Sequence, residues 1–288
     1  MTLRFAVIGS PVAHSKSPAM HEAAYRALGL PHSYEKLETT AEELPARVDA
    51  LRTGTLAGIN VTVPHKTAVL GLVDAIDPSA AATGAANTLV RTSEGTVRAY
   101  NTDAPALRGE LVELANDASM FEGRSALVLG TGGAARAAIF ALGQLGIARV
   151  IVRGRREKKE LADVLATSNP RAALSFEPLT APREEPDDLV AIVQATTAGM
   201  NGSEVPGDLV AGAVSWANVP PDCVVYDVVY APPRTPLLER ASARGLANDS
   251  GLGMLVGQGA LAFELWLGVK PPRDVMRAAL ASGAIARR

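Results

Sequence analysis

The sequence contains one cysteine in 288 residues, Cys223. A lone thiol excludes an internal disulfide and any multi-cysteine metal site. Cys223 opens the apolar run Val224-Val225 and reads as a buried structural thiol. Histidine is also scarce, and His14, His21, His32 and His65 show no H-E-x-x-H or comparable ligand spacing. They read as packing or surface residues, so no metal site is expected. The absence of a G-x-S-x-G elbow leaves an α/β-hydrolase reading without support. Neither sign of charge dominates: 28 Lys and Arg face 30 Asp and Glu. That balance argues against a broad polyanion-binding surface and against a nucleic-acid partner, while leaving room for a local cluster that binds one phosphate. No apolar run reaches transmembrane length, and the one in Met1–Gly9 is too short for a signal sequence. A soluble cytoplasmic protein with no membrane partner is expected. Neither an internal repeat nor a low-complexity tract occurs.

What is present suits two domains, since 288 residues with 48% hydrophobic content are ample for more than one core. Arg4–Ile8 reads as a strand. Ser17 is a candidate N-cap and Pro18 a first helical residue for a helix carrying Met20, Ala23, Ala24 and Leu28 on one face and stopping near Gly29. A strand over Tyr34–Leu37, a helix over Ala41–Leu51, a strand from Gly58 and a helix over Thr67–Val73 follow. This alternation favours an α/β domain with a parallel sheet.

The stretch Gly58-Ile59-Asn60-Val61-Thr62-Val63-Pro64-His65-Lys66 reads as a short strand that ends at a proline and delivers a lysine. Alternation places Asn60 and Thr62 on one face and Val61 and Val63 on the other. Pro64 lacks an N–H and stops the ladder. A polar face ending in Lys66 has the character of a site wall. Thr88–Arg91 and Thr96–Tyr100 flank Ser93-Glu94-Gly95, a hairpin signal. Closing that hairpin puts Asn87 beside Asn101-Thr102-Asp103. Asn60 either shares a task with Thr62 or braces the loop. Ser15 and Ser17 have two readings, an anion site beside a helix N-terminus or a loop serine and a cap.

Helices are expected over Ala106–Ala115 and Ala137–Leu145, and strands over Ser125–Gly130, Arg149–Val152, Asp188–Gln194 and Cys223–Tyr230. The Pro- and acid-rich Glu177–Pro186 reads as a loop. Gly130-Thr131-Gly132-Gly133-Ala134-Ala135 matches G-x-G-x-x-A between a strand and a helix, the context a dinucleotide fingerprint requires. An NAD site usually carries an acidic residue about 20 positions on. Arg153-Gly154-Arg155-Arg156 stands there instead. Guanidinium groups suit a 2′-phosphate, which points to NADP, with Arg153, Arg155 and Arg156 all candidates. Gly251–Gln258 opens a helix to about Leu267, with Met254, Gln258, Leu261 and Leu265 on one face. Gln258, polar on an apolar stripe, needs a partner.

Ser15-Lys16-Ser17-Pro18, Asn60–Lys66, Gly84–Leu89, Asn101-Thr102-Asp103, Gly130–Arg136, Ala195–Met200, Tyr226–Tyr230 and Gly251–Gln258 occur in the order and approximate spacing of one family. Across essentially its whole length the chain resembles shikimate dehydrogenase. The resemblance implies an α/β substrate domain of residues 1–104 and 252–288, to which the C-terminal helix returns, and a Rossmann-like NADP domain of 105–251. It implies reversible reduction of 3-dehydroshikimate to shikimate with NADP(H), in a monomer or homodimer. Lys66 and Asp103 are the implied catalytic pair. Ser15 and Ser17 are implied to bind the substrate carboxylate with Tyr230 close by, while Thr62, Lys66, Asn87, Asp103 and Gln258 hold its ring hydroxyls. Gly130, Thr131, Gly132, Gly133, Ala134 and the Arg153–Arg156 segment are implied to bind the cofactor. Thr196, Thr197, Met200 and Val228 are expected to border its cleft, with Gly253 near the nicotinamide. The chain departs from the family in having Arg153-Gly154-Arg155 where Asn-Arg-Thr is common, Gln194 and Glu22 in place of Asn, and Ala104-Pro105 after Asp103. A quinate or aminoshikimate dehydrogenase, and a non-catalytic shikimate-binding regulator, are the alternatives on the same fold.

Overall fold

A computed structural model describes residues 2–180 and 184–282. From the N-terminus, β1 (Arg4–Gly9) leads to α1 (Ser17–Ala27), β2 (Ser33–Glu38), α2 (Leu44–Arg52) and β3 (Gly58–Val61). Next come β4 (Ala75–Ile76), α3 (Pro78–Thr83), β5 (Thr88–Arg91), β6 (Val97–Tyr100) and α4 (Asp103–Ala115). The chain continues through β7 (Ser125–Leu129), α5 (Gly133–Gln144), β8 (Arg149–Gly154), α6 (Glu160–Ser168), β9 (Ala173–Pro178) and β10 (Leu189–Gln194). It closes with α7 (Gly207–Ala211), β11 (Val224–Asp227), α8 (Pro236–Ala243), β12 (Asn248–Ser250), α9 (Leu252–Leu267) and α10 (Arg273–Ser282). The described residues form two compact units, divided between Asp103 and Ala104 and between Met254 and Leu255.

The first unit, the N-terminal part with the chain from Leu255 onward, holds a sheet in the order β2-β1-β3-β5-β6-β4. The β1 pairings to β2 and β3 are parallel, but β3–β5 and β5–β6 are antiparallel. The expected parallel sheet is therefore mixed, because the tight hairpin reverses the chain. One core gathers Ala6, Ile8, Ile59, Val61, Leu89 and Val97 under Val48 and Leu51 of α2. Phe5, next in alternation, packs instead with Tyr25, His32 and Trp266, while His21 stacks against Tyr34 at 4.4 Å. Gly58 is required here, because a Cβ would lie 2.4 Å from the Trp266 indole nitrogen.

The second unit is a Rossmann-like layer with the strand order β12-β11-β10-β7-β8-β9, every pairing parallel. The chain runs outward from β7 to β9, then restarts at β10 and runs the other way. The reversal falls between β7 and β10. In open α/β sheets such a switch point, at the carboxyl ends of the strands, is where ligands bind. The five residues of β7 are all buried, with Ala126 and Val128 in the core beneath α5 and Leu127 and Leu129 in the opposite one.

Several local expectations are corrected. The N-cap of α1 is Lys16, without a side-chain cap, and Ser17 is the first helical residue. Leu28 and Leu265, expected on buried faces, are exposed, and the buried side of α9 includes Val256, Ala262 and Phe263. Helix α2 starts at Leu44, where Pro45 supplies a first-turn proline. The helix expected over Thr67–Val73 shrinks to a 3-10 turn at Ala68–Gly71. Strand β3 ends at Val61, leaving Val63 exposed beyond it, and β11 spans only Val224–Asp227. Helix α5 begins at Gly133. Strand β9 absorbs Glu177 and Pro178 of the expected loop, of which residues 181–183 lie outside the described residues, as do 283–288 of the expected substrate domain.

Candidate active site

Three connections bring the first unit's polar residues together. Thr62 to Lys66 follow the end of β3, Asn87 precedes β5, and Asp103 opens α4 after β6. The hairpin register seats Thr88 opposite Tyr100, and the Asn87 N–H donates to the Tyr100 carbonyl at 3.0 Å. Lys66 Nζ donates to Asp103 Oδ2 at 2.6 Å, with side chains 15% and 6% exposed. The other carboxylate oxygen, Oδ1, accepts from Asn87 Nδ2 at 2.8 Å. Asn87 is 2% exposed and also donates to Thr102 Oγ1 and to Gln258 Oε1, at 2.9 and 3.3 Å. Its own oxygen accepts the Thr102 N–H at 2.7 Å. Gln258 completes its amide on the Leu255 carbonyl at 2.8 Å. The partner demanded by a Gln on an apolar helix is thus Asn87. The array fixes one ammonium at a defined place, with most of its lining out of bulk water. There it can stabilise negative charge and hand over a proton.

Asn60 belongs to the bracing of this array. Its Nδ2 donates to the Asn87 carbonyl and to Thr88 Oγ1, both at 3.1 Å, and its Oδ1 accepts from Tyr34 Oη at 2.7 Å. Thr62 lies partly buried against Gly9, where a Cβ would meet its methyl group at 2.3 Å. Ser15 Oγ donates to Ser17 Oγ at 3.2 Å and accepts the Ser17 N–H at 3.3 Å. Burial raises the Tyr34 phenol well above its ordinary value, and the Ser17 hydroxyl acts against that shift. Tyr34 carries no signal in the sequence, where it is one aromatic in a short alternating strand. His65 is buried, with Nε2 on the Thr39 carbonyl at 2.7 Å, and His21 is a packing residue whose imidazole burial lowers to about 3.

In the second unit the expected cofactor residues gather at the carboxyl ends of β7, β8, β10 and β11. Gly130 has φ +121°, and a Cβ there would meet Thr196 at 2.7 Å, so the two loops touch at the switch point. Gly132 is the N-cap of α5, and a Cβ there would meet nothing within 4 Å. This open glycine before a helix N-terminus, whose first amides lack intrahelical partners, fits a pyrophosphate. Gln194 pins the next loop: Nε2 donates to the Ala198 carbonyl at 3.1 Å and Oε1 accepts the Thr196 N–H. At the end of β11 burial pushes the Asp227 carboxyl up to about 6, against hydrogen bonds from Thr235 at 2.6 Å and the Val229 N–H at 2.9 Å. Val228 and Tyr230 follow that carboxyl in sequence, both partly buried. Gly253 lies so close to Glu110 that a Cβ would overlap its carboxylate at 1.7 Å.

The arginine run divides. Arg153 is 1% exposed and faces inward, because β8 continues through Gly154 and alternation turns Arg153 toward the Ile151 side. Its Nε donates to Glu177 at 2.9 Å, and Nη1 donates to Glu185 at 2.6 Å and to the Ala213 carbonyl at 2.7 Å. That guanidinium is committed within the protein, which removes Arg153 from the phosphate-binding candidates. Arg155 and Arg156 are exposed, without an ion pair among the described residues. Gly154, between Arg153 and Arg155, packs under the glycine loop, where a Cβ would lie 2.7 Å from the Thr131 methyl.

Residues 7–89 match the family described as the shikimate dehydrogenase substrate binding domain, and residues 251–281 match the shikimate 5'-dehydrogenase C-terminal domain. A shikimate dehydrogenase (NADP(+)) of Citrifermentans bemidjiense is 41% identical over 284 residues, 96% of this chain and 93% of the relative. The crystal structure of a shikimate 5-dehydrogenase from Thermus thermophilus, in complex with NADP(H) and shikimate, is 39% identical with a TM-score of 0.76, covering 97% of this chain and 99% of that one. A quinate dehydrogenase from Corynebacterium glutamicum in complex with NAD is 29% identical with a TM-score of 0.84, covering 98% and 99%.

Proposed function

This chain belongs to the shikimate dehydrogenase family, and we propose that it catalyses the NADP-linked, reversible reduction of 3-dehydroshikimate to shikimate with Lys66 and Asp103 as its catalytic pair. The observation that carries the assignment of roles is the 2.6 Å Lys66–Asp103 contact, locked from behind by Asn87.

When bound, NADPH supplies a hydride to the ketone carbon. Lys66 stabilises the charge that develops on the ketone oxygen and gives that oxygen its proton. Asp103 holds the ammonium in place, Asn87 orients the Asp103 carboxylate, and Asn87, Asp103 and Gln258 hold the ring hydroxyls. Ser15 and Ser17 bind the substrate carboxylate with Tyr230, and Thr62 binds a ring hydroxyl. Fixing the ring this way is the orientational part of catalysis. Gly130, Thr131, Gly132, Gly133 and Ala134 hold the pyrophosphate, with Thr196, Val228 and Gly253 along the rest of the cofactor. Arg155 and Arg156 hold the 2′-phosphate. The unit of residues 1–103 and the chain from Leu255 serves the substrate, and the unit of residues 104–254, which carries Gly253, serves the cofactor. Among the described residues no helix is long and apolar enough to cross a membrane. We propose a cytoplasmic enzyme, a monomer or homodimer with no nucleic-acid partner.

The test is a panel of shikimate and quinate, each with NADP and NAD, followed by reduced-nicotinamide absorbance. Turnover of shikimate with NADP, exceeding the other combinations, is expected. Preference for quinate with NAD would move the chain to the quinate branch. Shikimate binding without turnover would make it a non-catalytic binder.

A further inference from the structure

Tyr34 lies away from the expected site residues in sequence, yet its hydroxyl is built into their support. Its ring is fixed by stacking: the His21 imidazole lies 4.4 Å away at an interplanar angle of 5°, and Trp266 packs at 6.3 Å. The stack leaves the phenol little freedom, and its 2.7 Å bond to Asn60 Oδ1 holds a buried acceptor. Asn60, 5% exposed, then grips the Asn87 carbonyl and the Thr88 hydroxyl. Asn87 in turn holds the Asp103 carboxylate that receives Lys66. A core aromatic needs no hydroxyl to fill this space, so the hydroxyl's contribution lies in its polar contacts: the 2.7 Å bond that fixes the Asn60 amide, with the Ser17 hydroxyl as a weaker neighbour.

We propose that Tyr34 is a positioning residue for the reaction: its hydroxyl sets the Asn60 amide, and Asn60 sets the Asn87–Asp103–Lys66 array. The inference rests on the functional reading above. It assigns Tyr34 no contact with substrate or cofactor. An unpaired buried acceptor at Asn60 would let the amide rotate toward other partners and loosen Asn87.

The test is Tyr34→Phe, which keeps the ring and its stacking, with Asn60→Ala and the double variant. Tyr34→Phe should lower kcat/KM for shikimate about tenfold, the worth of one net buried hydrogen bond. KM for NADP should stay within about twofold of the parent, because uncoupled sites act independently. The double variant should be within about twofold of Asn60→Ala, since the Tyr34 effect passes chiefly through its 2.7 Å bond to Asn60 and only weakly through Ser17. Parent-like kinetics in Tyr34→Phe, multiplying effects in the double variant, or an equal loss in KM for NADP would each overturn the proposal. A crystal structure of Tyr34→Phe reads the claim without turnover: a rotated Asn60 amide supports it, and an unmoved one overturns it. Failure of the parent to turn over shikimate would instead remove the functional reading, so the two failures are distinguishable.

Discussion

Arg153 on one side, and Arg155 with Arg156 on the other, should respond to substitution in opposite ways. Arg153→Met removes a guanidinium from between Glu177 and Glu185, whose side chains are 20% and 0% exposed. Both carboxylates lose their cation, and the Ala213 carbonyl and the Ser215 N–H that share this corner lose a fixed neighbour. Breaking a buried pair from one side costs about 3–5 kcal/mol. The variant should therefore lose that much in urea unfolding, while any folded fraction keeps its KM for NADP. The Arg155→Ala/Arg156→Ala double variant removes exposed side chains without ion pairs among the described residues. Its stability should stay within about 0.5 kcal/mol of the parent. It forfeits charge-assisted bonds to a 2′-phosphate worth about 1.5–3 kcal/mol, so KM for NADP should rise by about 10- to 100-fold. KM for NAD, which lacks that phosphate, should barely move. Initial rates at varied NADP and NAD, beside urea midpoints, separate the two effects. A stable Arg153→Met with weakened NADP binding, or a double variant with parental KM for NADP, would refute the division.

Two further predictions concern the fold that carries the site. Gly58→Ala puts a methyl group 2.4 Å from the Trp266 indole nitrogen, which itself donates to the Leu89 carbonyl at 2.9 Å. Overpacking there should destabilise the protein by about 1–3 kcal/mol in urea unfolding, and an unchanged midpoint would contradict the packing described. His21 has a folded pKa of about 3 against 6.5 when free, so the unfolded chain binds its proton first as pH falls. Stability from the neutral ring is complete above 6.5 and declines toward 3. The stability of His21→Phe relative to the parent should thus improve by about 1.4 kcal/mol per pH unit across that window, and a pH-independent difference would sink the assignment.

Legibility in the sequence follows the kind of signal each residue carries. Backbone-dictated features are plain. The hairpin turn at Gly95 forces Asn87 beside Asp103, and the Gly130–Ala135 pattern marks the strand-to-helix turn at the switch point. Short elements with little apolar periodicity are not. Helix α3 announces itself by Asp77, which accepts the Ser79 N–H, and by Pro78, but its body is mostly alanine. Strand β4, at two residues, has no period to detect. Helix α8 carries a comparable start, Thr235 capping Leu238 before a proline, at the end of a loop that hides it. The arginine run misleads because the apolar pattern of its strand ends at Val152. Two more residues of ladder turn Arg153 inward, toward acids 24 and 32 positions away that no local pattern links to it. Tyr34 is invisible for the same reason, since its partner Asn60 lies 26 residues on.

Proton transfer by Lys66 is separated from substrate binding in Lys66→Met by pairing steady-state turnover with calorimetric binding of shikimate. In that variant kcat should fall by about 10²–10⁴-fold, the usual worth of a positioned acid or base, while shikimate still binds. A variant that binds shikimate and turns over near the parental rate would contradict proton transfer by Lys66.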